Sequence, residues 1–232
     1  MAGMAAALFA AKRGLDVVLI GRPMGFTYAS GLLDLMSVYP VAKGKTWENP
    51  WACIETLVQE MPQHPYAKVA KDDMQTALTE LVSFLKTAGI HYHSKDGLNA
   101  ELITAAGTIK KTFKIPQTMW AGVGALENRL PCLLVDFKGL REFSARQIAA
   151  VCQKRWPNLR TIQIPFQGNA NGREIITGEI NAMTIAQPEN IGTLARAIRP
   201  HIRDAEAVGV PAILGLADAD QVVMDLENQL GT

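Results

Sequence analysis

The chain has 232 residues, 48% hydrophobic and 19% charged, which excludes a disordered polypeptide and allows one large or two small globular domains. Its 23 basic and 22 acidic residues leave a net charge of +1, so it offers no basic field for nucleic acid and no polybasic membrane patch. Three cysteines, Cys53, Cys132 and Cys152, are odd in number and lack metal-ligand spacing, which argues against a disulfide framework or an encoded iron-sulphur site and for reduced thiols in the cytoplasm.

The stretch from Met1 to Asp34 organises the rest. Ala2, Ala5, Ala6, Ala7, Ala10 and Ala11 form a small-residue helix that Gly14 stops, and Val17 to Ile20 reads as a buried-type strand. Together they make the second half of a dinucleotide-binding βαβ unit, without the strand and Gly-x-Gly that open such a unit. Gly3 takes the place of the third glycine, which lets helix and strand pack closely. The helix N-terminus at Ala2 and Gly3 would face a phosphate, where free N–H groups and the helix dipole favour negative charge. The apolar start is not a signal peptide, because it has no basic leader and Lys12-Arg13 interrupts it. No apolar run reaches the ~20 residues that span a bilayer.

Pro50 to Glu60 is expected as a short helix with Trp51 in the core, and His64-Pro65-Tyr66 as a turn. Asp72 to Ala88 is an amphipathic helix, with Asp72 and Gln75 as a capping box and Gly89 as its stop. Ile90 to Ser94 alternates as a strand that puts His91 and His93 on one solvated face and Tyr92 on the other. With no third ligand beside them, the two histidines are not read as a metal site. Glu101 to Ile103 and Ile109 to Ile115 form a hairpin around Gly107, on which Trp120 packs.

A second βαβ-like passage follows: strand Cys132 to Val135, loop Asp136 to Leu140, helix Ser144 to Trp156 and strand Leu159 to Ile164. Its loop holds the single Gly139, so it is not a second dinucleotide site. Gly192 to Asp204 is a helix, followed by a strand from Pro211 to Leu214 and a helix from Asp218 to Leu230. Arg173 is a candidate for a phosphate-bearing substrate, since a guanidinium matches phosphate oxygens bidentately; the alternative is a surface arginine. No triad, metal cluster or paired-carboxylate spacing is present, so the catalytic residues are unknown and chemistry must come from a cofactor.

The wording of the segment from Ala2 to Leu8, with Lys12 to Leu15, Val17 to Ile20, Arg22 and Ser30-Gly31-Leu32-Leu33-Asp34-Leu35, resembles the B-type subunit of anaerobic glycerol-3-phosphate dehydrogenases, in the two-dinucleotide-binding-domain flavoproteins. His64-Pro65-Tyr66, Gly107-Thr108, Gly139-Leu140-Arg141-Glu142-Phe143 and Gly215-Leu216-Ala217-Asp218 continue the match in order. The resemblance implies an α/β fold: a partial Rossmann-like flavin-binding domain, its first strand missing, over residues 1–90, an antiparallel insertion over 91–129, and an α/β insert over 130–232 for substrate or interaction. Relatives begin before Met1 and continue past Thr232, so the chain reads as an internal piece, inactive alone.

In such flavoproteins an acidic residue after the second strand holds the adenosine ribose. Here Arg22 stands there, which implies a mononucleotide flavin or a phosphate contact, with a solvated arginine as the alternative. The loop from Pro23 to Ser37 sits beside the flavin in relatives, and Ser30 and Gly31 are its expected contacts; Asp34 is expected as a helix cap or turn former. The resemblance implies an electron-transfer subunit that binds FMN or FAD in a complex oxidising glycerol 3-phosphate to dihydroxyacetone phosphate. Its partners are the complex's dehydrogenase (A-type) subunit, its iron-sulphur membrane-anchor (C-type) subunit and, indirectly, the quinone pool. The location is the cytoplasm, with membrane association through a partner. The alternative is a flavin-free α/β interaction module from the same family. An NAD-dependent oxidoreductase is disfavoured by the missing ribose-binding carboxylate.

Overall fold

The computed structural model describes residues 2–20, 31–165, 174, 188–211 and 219–231. In its N-terminal part, α1 (Ala2–Lys12), α2 (Pro50–Glu60) and α3 (Lys71–Thr87) surround short extended segments. Asn49 caps α2 by accepting from the amides of Trp51 and Ala52, with Pro50 preset for the first turn. Trp51, Ile54 and Leu57 are its buried face, and Trp51 meets Phe113 edge-on at 5.9 Å. In α3 the expected capping box is absent: Ala70 holds the cap position, so Asp72 and Asp73 lie within the first turn and act through the helix dipole instead. Gly89, at φ +79°, ends the helix as its position predicts.

The segment from Val17 to Ile20 forms no strand, which corrects the expectation. A strand needs a hydrogen-bonded neighbour, and none of the described strands lies beside it; Val18 and Ile20 are accordingly 84% and 89% exposed.

Two small antiparallel pairs form the middle of the chain. Strands β1 (Tyr92–His93), β2 (Ala100–Ile103), β3 (Ile109–Thr112) and β4 (Ile115–Pro116) pair as β1 with β4 and β2 with β3, so Ile115 leaves the expected hairpin to join Tyr92 and His93. Gly107 turns the hairpin at φ +80° and presses onto Ile148 and Val151. Helix α4 (Gln117–Glu127) is not evident in the sequence, because Pro116, Gly122 and Gly124 weaken its helical signal. Its Val123, Ala125 and Leu126 are buried, and this packing overrides propensity.

The C-terminal part is a parallel sheet between helices. Strand β5 (Cys132–Lys138) is buried at all but its last residue, the continuous apolar pattern of a strand covered on both faces. Helix α5 (Ala145–Cys152), capped by Ser144, leads to β6 (Leu159–Pro165), and α6 (Pro188–Ile198) precedes β7 (Ala207–Gly209) and α7 (Ala219–Leu230). Both neighbours are parallel to β5, in the order β6-β5-β7. Leu133, Val135 and Phe137 pack with Ile191, Ala195, Ile198, Val222 and Leu226 on one face. Cys132 and Leu134 pack with Ala145, Ile148 and Cys152 on the other. The third strand is thus at 207–209; residues 212–214, where one was expected, lie outside the described residues.

Candidate functional site

Helix α1 presents two faces. After Gly14, at φ +75°, the chain runs back along it, and a Cβ placed on Gly3 would lie 3.8 Å from Leu19 Cδ1. A side chain at this position would make ordinary contact with the segment that follows the helix. Ala2 and Gly3, in the first turn of this 11-residue helix, are exposed. On the other face Met4, Ala5, Leu8 and Phe9 pack against Leu33, Leu81 and Leu85, and Lys12 reaches Glu80 at 3.4 Å.

Gly31 is fastened from the opposite direction. Its φ of +72° suits a residue without Cβ, and an added Cβ would lie 3.3 Å from Pro116 Cγ. The Tyr92 hydroxyl donates to its carbonyl at 2.5 Å. Burial pushes the Tyr92 phenol further above its ordinary range. Leu33 and Lys114 then exchange two backbone hydrogen bonds of 3.0 Å. Asp34 pairs with Lys110 at 2.7 Å, a cross-link between segments in place of the expected cap or turn role.

Tyr92 and Leu33 belong to the cluster on which α1 rests, so the helix bearing Gly3 and the loop bearing Gly31 share one core. Arg22, Ser30 and Arg173 lie outside the described residues. The sequence alone does not point to Tyr92, Lys110, Lys114 and Pro116 as supports of the loop. The alternation that sets Tyr92 opposite His91 and His93 is the available signal.

The two histidines part company. His91 Nδ1 lies 3.2 Å from Asp220, while His93 stacks on Trp120 at 5.3 Å and contacts Gln117, so its face is not merely solvated. Among the described residues no group of three His, Cys, Asp or Glu side chains is placed to hold a metal. All three cysteines are free and buried, and burial raises each thiol, Cys132 to about 12, so none is an activated nucleophile. No described helix is long and apolar enough to cross a membrane.

A family model described as an FAD binding domain matches residues 1–229. The B-type subunit of the anaerobic glycerol-3-phosphate dehydrogenase of Vibrio vulnificus (strain YJ016) is 29% identical over 241 residues, 99% of this chain and 54% of that protein. The probable B-type subunit of the anaerobic glycerol-3-phosphate dehydrogenase of Halobacterium salinarum (strain ATCC 29341 / DSM 671 / R1) is 30% identical over 244 residues, 100% of this chain and 55% of that protein. The chain spans about half the length of the curated relatives it matches. No solved structure matches.

Proposed function

Since the chain belongs to the FAD binding domain family, we propose that it is part of the flavin-binding electron-transfer subunit of an anaerobic, quinone-linked glycerol-3-phosphate dehydrogenase. The reaction takes two electrons and two protons from the C2 carbinol of glycerol 3-phosphate, giving dihydroxyacetone phosphate. The names of the relatives, each one subunit of a larger enzyme, support partner subunits, which we assign as the dehydrogenase (A-type) and the iron-sulphur membrane-anchor (C-type) components. The protein then works on the cytoplasmic side, held at the membrane through that anchor.

The observation that carries this reading is the shared core under Gly3 and Gly31. The residues fit FAD. The positive N-terminal end of α1 suits a pyrophosphate, and Gly3 puts no side chain in its first turn. Gly31, clamped by Tyr92 and Pro116, offers backbone beside the same cluster. Arg22 and Ser30 complete the proposed set, with Arg173 as a phosphate contact for substrate. When bound, FAD supplies the two-electron redox chemistry; the chain's residues bind and orient it.

The test uses the complex recovered from anaerobic cells through a tag on this chain. Glycerol 3-phosphate added without oxygen should bleach the flavin absorbance near ~450 nm, and a quinone analogue should restore it. A complex that is not bleached, or a tag that recovers no other polypeptide of the enzyme, overturns the assignment.

A further inference from the structure

A second feature lies away from Gly3 and Gly31. Between the β2–β3 hairpin, α4 and the segment before β2 is a cleft of about 170 Å³, lined by three acidic and three basic side chains. At about 30 Å³ per water in the liquid, it has room for a small organic molecule.

Its charges are balanced in number but not in place. Arg155 and Lys111 both address Glu101: the guanidinium is in direct contact with Oε2, and Lys111 Nζ is 3.8 Å from Oε1. Two cations on one carboxylate leave about one unit of positive charge. The Lys111 side chain is only 16% exposed, so its incomplete pairing is not made good by open water. Lys95 has the opposite surroundings. Its ammonium pairs with Glu127 at 2.6 Å and lies in the fields of Glu48 and, more weakly, of Glu101; Glu48 makes no ion pair of its own among the described residues. Two carboxylates on one ammonium leave about one unit of negative charge.

Asn99 is one of the residues lining the cleft and is 5% exposed. Its amide orientation is fixed, because Nδ2 donates to the carbonyls of both Met36 and Trp47 at 3.0 Å. Its backbone N–H donates to the Glu48 carbonyl at 2.7 Å. Oδ1 accepts no hydrogen bond within the protein.

We propose that this cleft binds a small zwitterion of the amino-acid class, its carboxylate at Lys111 and Arg155 and its ammonium at Glu48 and Glu127. A simple anion or cation would gain at one pole and lose at the other, whereas a zwitterion is matched at both. The inference is independent of flavin binding, and its test needs no flavin.

Amide spectra of the isotopically labelled chain are followed on titration with glycine and β-alanine, and separately with acetate, phosphate and methylammonium. A zwitterion should give saturable shifts at Asn99, Glu101 and Val123, with the single-charge probes at least about tenfold weaker. Glu48→Gln, at the exposed rim, and Lys111→Met should each weaken zwitterion binding by about tenfold. A folded Glu48→Gln protein that binds as the parent does overturns the proposal. So does acetate or phosphate binding as tightly as β-alanine, or the absence of any saturable shift.

Discussion

The Tyr92 hydroxyl and the Gly31 carbonyl, 61 residues apart in sequence, meet at 2.5 Å. This bond joins the β1–β4 pair to the loop proposed to meet the flavin, while the tyrosine ring packs in the cluster beneath α1. It makes the loop's position a property of the core.

Tyr92→Phe keeps the ring and removes the donor. The half-buried bond should be worth about 1 kcal/mol, read as a lower urea midpoint with an unchanged slope. Amide exchange at Gly31 and Leu33 should quicken more than at Leu134. Equal changes at both places would show that the bond does not hold this loop.

Gly107 should tolerate no side chain. At φ +80°, an added Cβ would meet Val151 Cβ at 2.8 Å and the Ile148 backbone at 2.9 Å. Backbone strain and a clash against helix backbone add, so Gly107→Ala should cost more than about 1 kcal/mol in chemical denaturation. A parent-like midpoint would mean the hairpin does not press on α5.

Arg160 and Glu206 tie the start of β6 to the start of β7. Arg160 donates to both carboxylate oxygens, at 2.7 and 3.0 Å, and the Arg203 amide donates at 3.0 Å to a side chain that is 1% exposed. Arg160→Met leaves that carboxylate buried without its cation and should cost about 3–5 kcal/mol. Arg160→Met with Glu206→Gln should recover part of the loss; a single variant as stable as the parent would contradict the pairing.

Asp136 gives a pH dependence. It is 5% exposed, its Oδ2 accepts from the Ala145 amide at 3.2 Å, and its Oδ1 has no partner. Burial pushes its pKa above the usual carboxylate value, against the lowering effect of backbone N–H donors. The folded protein therefore binds this proton more tightly than the unfolded chain does. Its stabilising contribution is complete below the ordinary carboxylate pKa of about 4 and is lost as pH rises through the raised value. Asp136→Asn, which keeps an acceptor for Ala145 without a charge, should be more stable than the parent at pH 7 by about 1 kcal/mol. That gain should vanish near pH 4; a gain independent of pH would rule out ionisation as its cause.

What is legible in the sequence is local. The apolar run at Cys132 identifies β5, though its pattern stops at Val135 because Asp136 reads as a loop residue; in the fold the α5 amide of Ala145 receives it and the strand continues to Lys138. The stripe of α3 is equally clear. Helix α4 is hidden by Pro116 and two glycines, and β7, three residues long, exists only through its register with β5. At the candidate site Gly3 can be chosen from its place before a small-residue helix, and Gly31 from its loop's composition together with the resemblance to the flavoproteins. Tyr92, Lys110 and Lys114 cannot, because their roles depend on pairings between distant segments.

The most direct measurement is FAD retention. The purified chain, incubated with FAD and desalted, should keep absorbance near ~450 nm, and Gly3→Val, which puts a branched side chain in the first turn of α1, should reduce retention while leaving the fold's circular dichroism intact. A folded chain that keeps no FAD, or a Gly3→Val variant that keeps as much as the parent, would contradict the placement of the cofactor on α1.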